Sequence, residues 1–236
     1  MTTAISEQRR VGEQVDPSAS PKPRRISFEG RTIRLVPMDA HEHLESLWTA
    51  TGGPENEYLW TYMFEYAFQN RASFEANLQR KEESEDPLFY SIIEKTSGDA
   101  VGWAAYMRME PLHRVIEVGS IMFSPRLQHT IGATEAMYIM AKHAFEEMNY
   151  RRYEWKCDAL NEPSRKAALR LGFKFEGVFQ QHMIVKGRNR DTAWYAMLDS
   201  DWPARKRAFE KWLDPANFDS SGKQRVSLSS LNASHE

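Results

Sequence analysis

The sequence predicts a chain of the α/β class, more narrowly α+β: a mixed, mostly antiparallel central sheet of about seven strands flanked by helices. Three observations carry this. Short stretches rich in alternating apolar and polar residues, separated by turn residues, stand at 32–37, 88–94, 101–109 and 114–123 and read as strands. From Ala133 the apolar residues recur at Met137, Met140, Ala141, Ala144, Phe145 and Met148, the spacing of one face of an amphipathic helix. Beyond residue 114 the order is strand, loop, helix, strand, helix, strand, which requires at least one parallel crossover.

Taken in order, residues 1–26 are polar, with Pro17, Pro21 and Pro23 among serines and basic residues, and are expected to form a disordered extension. The folded domain is expected over 27–213. Its first strand alternates Ile33 and Leu35 with Arg34. Asp39 offers an N-cap for a helix through Leu44, Leu47 and Trp48, which Gly52-Gly53-Pro54 stops. Between 55 and 70 the aromatics Tyr58, Trp60, Tyr62, Phe64, Tyr66 and Phe68 are dense. They form either core or a packed lid, or else Trp60, Tyr62 or Tyr66 lines a substrate pocket. A helical stretch ending in the charged run 80–86 follows. The next three strands are joined by Thr96-Ser97-Gly98-Asp99 and Glu110-Pro111-Leu112-His113, giving an antiparallel meander. After the helix from Ala133 come a strand at 153–159, a helix at 163–171, strands near 173–185 and 192–198, and a closing amphipathic helix at 202–213. Residues 214–236, with Ser, Gly and Asn, are expected to be a disordered tail.

Composition narrows the setting. Lys and Arg number 31 against 33 Asp and Glu, a formal net charge of -2. The basic groups Arg24-Arg25, Arg151-Arg152 and Arg205-Lys206-Arg207 are scattered. Neither fact favours a nucleic-acid partner or an anionic membrane. Cys157 is the one cysteine, so no intramolecular disulfide forms and a reducing compartment is indicated. No apolar run approaches the ~20 residues of a membrane span. The first residues carry Glu7, Glu13 and Asp16 and no apolar h-region, which argues against a signal peptide and makes the cytoplasm the expected location. No metal site is visible, since His41 and His43 have no further ligands nearby. A homodimer is left open.

Function is concentrated in the stretch 124–137, which reads as a strand end, a loop and a first helical turn. The backbone N–H groups of such a turn have no partner inside the helix and carry the positive end of its dipole, which suits a phosphate. By itself the stretch reads first as an ordinary strand-to-helix connection. Three motifs together resemble the GNAT superfamily of acyl-CoA-dependent N-acyltransferases, nearest to the branch containing the ribosomal-protein N-terminal acetyltransferases. The first is Gln128-His129-Thr130-Ile131-Gly132-Ala133 followed by Thr134-Glu135-Ala136. The second is Asn161-Glu162-Pro163-Ser164 leading to Arg170-Leu171-Gly172-Phe173, and the third is Glu117 within Val115-Ile116-Glu117-Val118-Gly119. The likeness spans about residues 31 to 200. It departs from the family's pattern at Ile131, where a glycine is usual; a β-branched residue does not readily adopt positive φ.

The resemblance implies a GNAT fold and acetyl-CoA as the acyl donor. It implies that Gln128, His129, Thr130, Ile131, Gly132, Ala133 and Thr134 surround the coenzyme A pyrophosphate, chiefly through backbone donors. Met122, Phe123 and Ser124 would line the acyl group, with a backbone N–H there facing the developing oxyanion. Asn161 and Ser164 would meet the pantetheine arm and the sulfur. Glu117 is the expected base for an ammonium substrate, in a partly apolar setting. Many members carry a tyrosine acid where this chain has Ala168, so Ser164 becomes the expected partner of the leaving thiolate; its other reading is a helix cap. Cys157 as an acyl carrier is disfavoured, because a lone strand cysteine is usually core. Candidate acceptor contacts are Trp60, Tyr62 and His182. The turn Arg188-Asn189-Arg190-Asp191 is either solvated or attracts an acidic substrate group. The expectation is an N-acetyltransferase acting on a small-molecule amine or a protein N-terminus by direct transfer. The alternative is an acyl-CoA-binding regulatory module without turnover, kept open by Ile131 and Ala168.

Overall fold

The computed structural model describes residues 10–233. One sheet of eight strands runs through the molecule in the order β1-β2-β3-β4-β5-β6-β8-β7. The strands are β1 (Phe28–Glu29), β2 (Ile33–Pro37), β3 (Leu88–Glu94), β4 (Ala100–Glu110), β5 (Val115–Phe123), β6 (Arg152–Asp158), β7 (Lys174–Val185) and β8 (Arg188–Leu198). Every pairing is antiparallel except β5 with β6. The mixed, mostly antiparallel sheet is therefore as expected, with a two-residue edge strand, β1, as the extra member.

Helices cover both faces. On one, α3 (Ile131–Lys142), α4 (Glu162–Arg170), α5 (Trp202–Leu213) and α6 (Leu228–Ala233) bury a core including Ala136, Met140, Tyr153, Ala168, Phe173, Phe209 and Leu228. On the other, α1 (Ala40–Thr51) and α2 (Arg71–Glu83) close over Leu47, Trp60, Phe74, Phe89 and Trp103. Local signals behave as read: Asp39 caps α1 by accepting from Glu42 N (2.7 Å). The helix from residue 131 leaves α geometry at a π-helical turn over His143–Glu147.

The two tails need correction. Among residues 10–26, expected to be disordered, Ser20 is buried and donates from its N–H to Pro111 O and from Oγ to Asn149 O, both at 3.0 Å. Tyr90 Oη donates to Arg24 O (2.7 Å). Residues 214–233, also expected to be disordered, hold a 3-10 turn at Pro215–Asn217 and helix α6. Composition misled because few anchors suffice: Leu228 and Leu231 reach the core, and Asn217 Nδ2 bonds Trp212 O and Val226 O (both 3.1 Å). The expectation also extended over 1–9 and 234–236, which lie outside the described residues.

The feature that positions the site is a parting of the sheet. β5 and β6 pair only at Val115↔Arg152, Ile116↔Tyr153 and Glu117↔Glu154, although β5 runs on to Phe123 and β6 to Asp158. β6 stays bonded to β8 from Arg152 to Asp158. β5 follows β4 instead, through an irregularity that shifts the register between Trp103 and Ala105 and puts Ser120 at φ 49. A bulge of this kind bends a strand and ends its pairing on the other side. An opening results between the strands.

Candidate active site

The opening is lined by Glu117 to Ile121 of β5, Trp155 to Asp158 of β6, Asn161 and Ser164 at the start of α4, Arg108 of β4, Arg190 of β8, and Tyr62 with Phe64 from the aromatic segment. It reaches both faces of the sheet. Trp155 and Cys157 belong to the core under α3 and α4. Side chains alternate along a strand, so Lys156 and Asp158 stand on the opposite face, as does Glu117, whose neighbours Ile116 and Val118 are in that same core.

On the helical side the geometry is mostly backbone. Leu127 N–H and Gln128 N–H both bond Ser124 O (2.9 Å), and Thr130 caps α3 by accepting from Ala133 N–H (3.2 Å). The N–H groups of Ile131 and Gly132, the first two helical positions, make no hydrogen bond to the described residues and are free to meet an anion. Positive φ falls at His129 (φ 63), not at Ile131. Ile131 is simply the first helical residue, so its β-branch is tolerated. Several motif side chains hold the loop rather than face a ligand. Gln128 Nε2 donates to Phe123 O (2.8 Å), and Thr134 Oγ1 accepts from Arg170 Nη1 (3.0 Å). A Cβ on Gly132 would lie 2.7 Å from Ile33 Cγ2, so packing demands this glycine. Glu135 accepts from Arg31 N (2.6 Å), Thr32 N (2.8 Å), Thr32 Oγ1 (2.6 Å) and Ile33 N (3.2 Å). This clamp fixes the helix start against β2.

Of the three residues expected to line an acyl group, Met122 and Ser124 are buried. The N–H of Ser124 bonds Val101 O (3.1 Å) across to β4, so Ser124 gives no backbone donor to the opening. N–H directions alternate along a strand, which turns that of Phe123 away from β4. Ser164 Oγ accepts from Trp155 Nε1 (3.0 Å), leaving the hydroxyl hydrogen available to another acceptor. Asn161 caps α4 by accepting from Ser164 N–H (3.1 Å). Ala168 is fully buried, so no acid stands there. Burial raises the Cys157 thiol above its ordinary value, against the lowering effect of Ser164, which keeps it a poor nucleophile.

The opposite side is ionic, where the sequence suggested a partly apolar setting. Glu117, with a side chain 3% exposed, takes both oxygens to Arg108 Nη1 (3.1 and 2.8 Å) and one to Lys156 Nζ (2.9 Å). Lys156 also meets Glu154 (2.6 Å) and lies over the Trp194 ring, 3.9 Å from its centroid. Arg108 is aimed by an irregular turn of β4: its φ is 47, and Asp86 accepts from the N–H groups of Arg108 (2.8 Å) and Met109 (3.2 Å).

Two expected acceptor contacts are corrected. Trp60 is 1% exposed, packs edge-on against Phe68 and Phe74, and donates from Nε1 to Thr51 O (2.8 Å). It is core, because the turn that carries it folds back on α1. His182 lies outside the opening, held on β7 by Thr192 Oγ1 (2.9 Å) and the rings of Phe179 and Trp194. Tyr62 does line the opening and donates to Leu160 O (3.0 Å). Arg108 and Lys156 were missed. The one available signal was their alternation onto the Glu117 face, which is readable only once the register is known.

Residues 32–174, more than half of the chain, match the acetyltransferase (GNAT) domain. The crystal structure of a GCN5-related N-acetyltransferase from Brucella melitensis superposes with a TM-score of 0.90 at 47% identity, covering 92% of this chain and 98% of that one. Two curated relatives are similar over shorter stretches. The N-acetyltransferase YnaD of Bacillus subtilis (strain 168) is 33% identical over 87 residues, 36% of this chain and 50% of that protein. The ribosomal-protein-serine acetyltransferase of Escherichia coli (strain K12) is 27% identical over 100 residues, 42% of this chain and 55% of that protein. The chain thus spans about half the length of the curated relatives it matches. Its likeness to the ribosomal-protein branch holds at modest identity. Matched to the domain over most of its sheet, and to a solved member over nearly its whole length, this chain belongs to the GNAT acetyltransferase family.

Proposed function

We propose that the protein is an acetyl-CoA-dependent N-acetyltransferase that acylates a primary amine by direct transfer. The observation that carries this is the parted sheet: one opening has the Ser164 hydroxyl on its helical side and Glu117 on the other, and the strand that borders it, β5, leads through one loop to the free N–H groups at the start of α3. The residues present fit acetyl-CoA, since Ile131 and Gly132 offer orphan donors to a phosphate. When bound, it would supply an activated acetyl thioester.

Each flanking residue then has a definite task. Glu117 takes the proton that an ammonium must lose before its nitrogen can attack, directly or through water. Arg108 and Lys156 hold that carboxylate in place. Ser164 donates its hydroxyl hydrogen toward the departing sulfur while Trp155 fixes the Oγ. The Phe123 N–H serves the acetyl oxygen. One C–N bond forms and one C–S bond breaks; of the two protons the ammonium loses, one goes to Glu117 before attack and the other, shed after attack, balances the departing thiolate as thiol. Cys157 takes no part, because its thiol is held protonated by burial.

The test is incubation with acetyl-CoA and a panel of small amines and N-terminal peptides, reading free thiol and product mass. Acetylated product appearing with stoichiometric thiol is expected. Coenzyme A binding with no thiol release across the panel would sink the proposal in favour of a binding module.

A further inference from the structure

The opening contains one charged side chain that no described residue answers. Arg190 is 7% exposed, yet its side chain makes no hydrogen bond or ion pair with any described residue, and its Nε is buried without an acceptor. Its guanidinium rests on the Phe64 ring, 5.0 Å from the centroid. The two neighbouring cations are different. Arg108 is bonded to Glu117, and Lys156 to both Glu117 and Glu154.

An arginine stays protonated at any ordinary pH, and a buried charge without a counterion is costly. Burial lowers the Arg190 value from its usual level; Asp158 acts oppositely, but at a distance too long for an ion pair. Asp158 meanwhile accepts from Leu160 N–H (2.8 Å). The lining therefore carries three cations, Arg108, Lys156 and Arg190, against two carboxylates, Glu117 and Asp158. Lys156 is further answered by Glu154, just outside the lining, which leaves Arg190 as the lining cation without an ion pair to a described residue.

The register says on which side it belongs. Lys156 pairs Trp194 and Asp158 pairs Thr192, so by alternation Arg190, Thr192 and Trp194 share the face of Lys156 and Glu117. That is the face opposite α3 and its free N–H groups. The acceptor approaches Glu117 there.

On the reading of this opening as an acetyl-transfer site, we propose that Arg190 binds a carboxylate of the acceptor, so that the amine acetylated belongs to a carboxylate-bearing molecule. The planar guanidinium grips a carboxylate through two parallel N–H bonds, and Phe64 holds it flat. The carboxylate has two sources: the α-carboxylate of a free amino acid, or an acidic side chain next to a peptide N-terminus.

Matched acceptors separate these: serine against serinamide, and the amidated peptides Ser-Asp-Ala against Ser-Asn-Ala. The carboxylate member of one pair should have a kcat/KM at least about tenfold higher, the scale of one charge-assisted hydrogen bond. In Arg190→Gln that preference should collapse through KM, and Arg190→Lys should restore part of it. Equal kcat/KM within both pairs, or a preference that survives Arg190→Gln, would overturn the proposal.

A binding measurement keeps it distinct from the activity. Calorimetric titration with N-acetylserine and N-acetylserinamide, and with the N-acetylated forms of the two peptides, needs no turnover. If no amine is acetylated, the proposed function fails while this arm still decides Arg190. Carboxylate-dependent binding lost in Arg190→Gln supports the subsite, and binding indifferent to the carboxylate in both arms refutes it. Because the charge has no partner to lose, Arg190→Gln and Arg190→Met should melt no lower than the parent. A fall of more than about 5 °C in both would assign Arg190 to the fold instead.

Discussion

The two sides of the sheet opening are built on different principles. On the helical side, the polar groups left free are the backbone N–H donors of Ile131 and Gly132 and the Ser164 hydroxyl hydrogen. The motif side chains of Gln128, Thr130, Thr134 and Glu135 hold the loop, and Gly132 leaves room for Ile33. On the other side stand charged side chains: Arg108 and Lys156 are paired with Glu117, and Arg190 lies beside them without an ion pair to a described residue. A site made of backbone tolerates changes of side chain as long as the chain path holds. A site made of paired charges does not, because removing one partner strands the other.

Four substitutions test that contrast. The largest effect is expected at Glu117→Gln, where kcat/KM should fall by roughly 100- to 10,000-fold with the KM for acetyl-CoA unchanged. Steady-state kinetics over a pH series would show whether the step limited by amine deprotonation has gone. A variant with near-normal rates would move the chemistry away from the ionic side. Glu135→Ala should come next, as a loss of about 2–4 kcal/mol of folding stability by denaturant titration. Four donors lose a buried carboxylate there. Stability within the error of the parent would mean that the loop is held by something other than this clamp.

Ser164→Ala should lower kcat by about 10- to 100-fold, the worth of a hydrogen bond to a developing thiolate, while the protein still binds coenzyme A in an equilibrium titration. A rise in Kd with kcat intact would make Ser164 a cofactor-holding residue instead. Smallest of all, Ile131→Gly should change the KM for acetyl-CoA by no more than about threefold, since a first-turn glycine costs under about 1 kcal/mol in helix stability. Tight binding gained by the glycine would show that the isoleucine does impair the phosphate loop.

The unequal legibility of the two sides follows from how they are made. The helical side was readable in the stretch 124–137 because capping, helix periodicity and turn chemistry act between residues a few positions apart. Ala133 to Met148 as a helix face and Asp39 as the cap of α1 follow such local rules. The same rules could not tell that Gly132 serves Ile33, or that Glu135 clamps the β1–β2 turn, since those partners are about a hundred positions away. On the ionic side only Glu117 stood out, a carboxylate among apolar neighbours. Trp60 was an aromatic among aromatics, and nothing local assigns one of them to the core and Tyr62 to the opening.

By itself, the sequence determined the fold class, the order of most elements, the place of the loop that opens α3 and one carboxylate on the strand before it, because periodicity and capping are short-range and survive in a linear reading. Tertiary structure alone decided where the sheet parts, that Glu117 is held by two cations, that Trp60 and His182 stand aside, and that Arg188 to Asp191, read as a turn, belong to β8 and bring Arg190 to the opening. Each of these is a matter of strand register. A shift of one residue would send every such side chain to the opposite face, and register is set by long-range pairing that no local stretch of sequence contains.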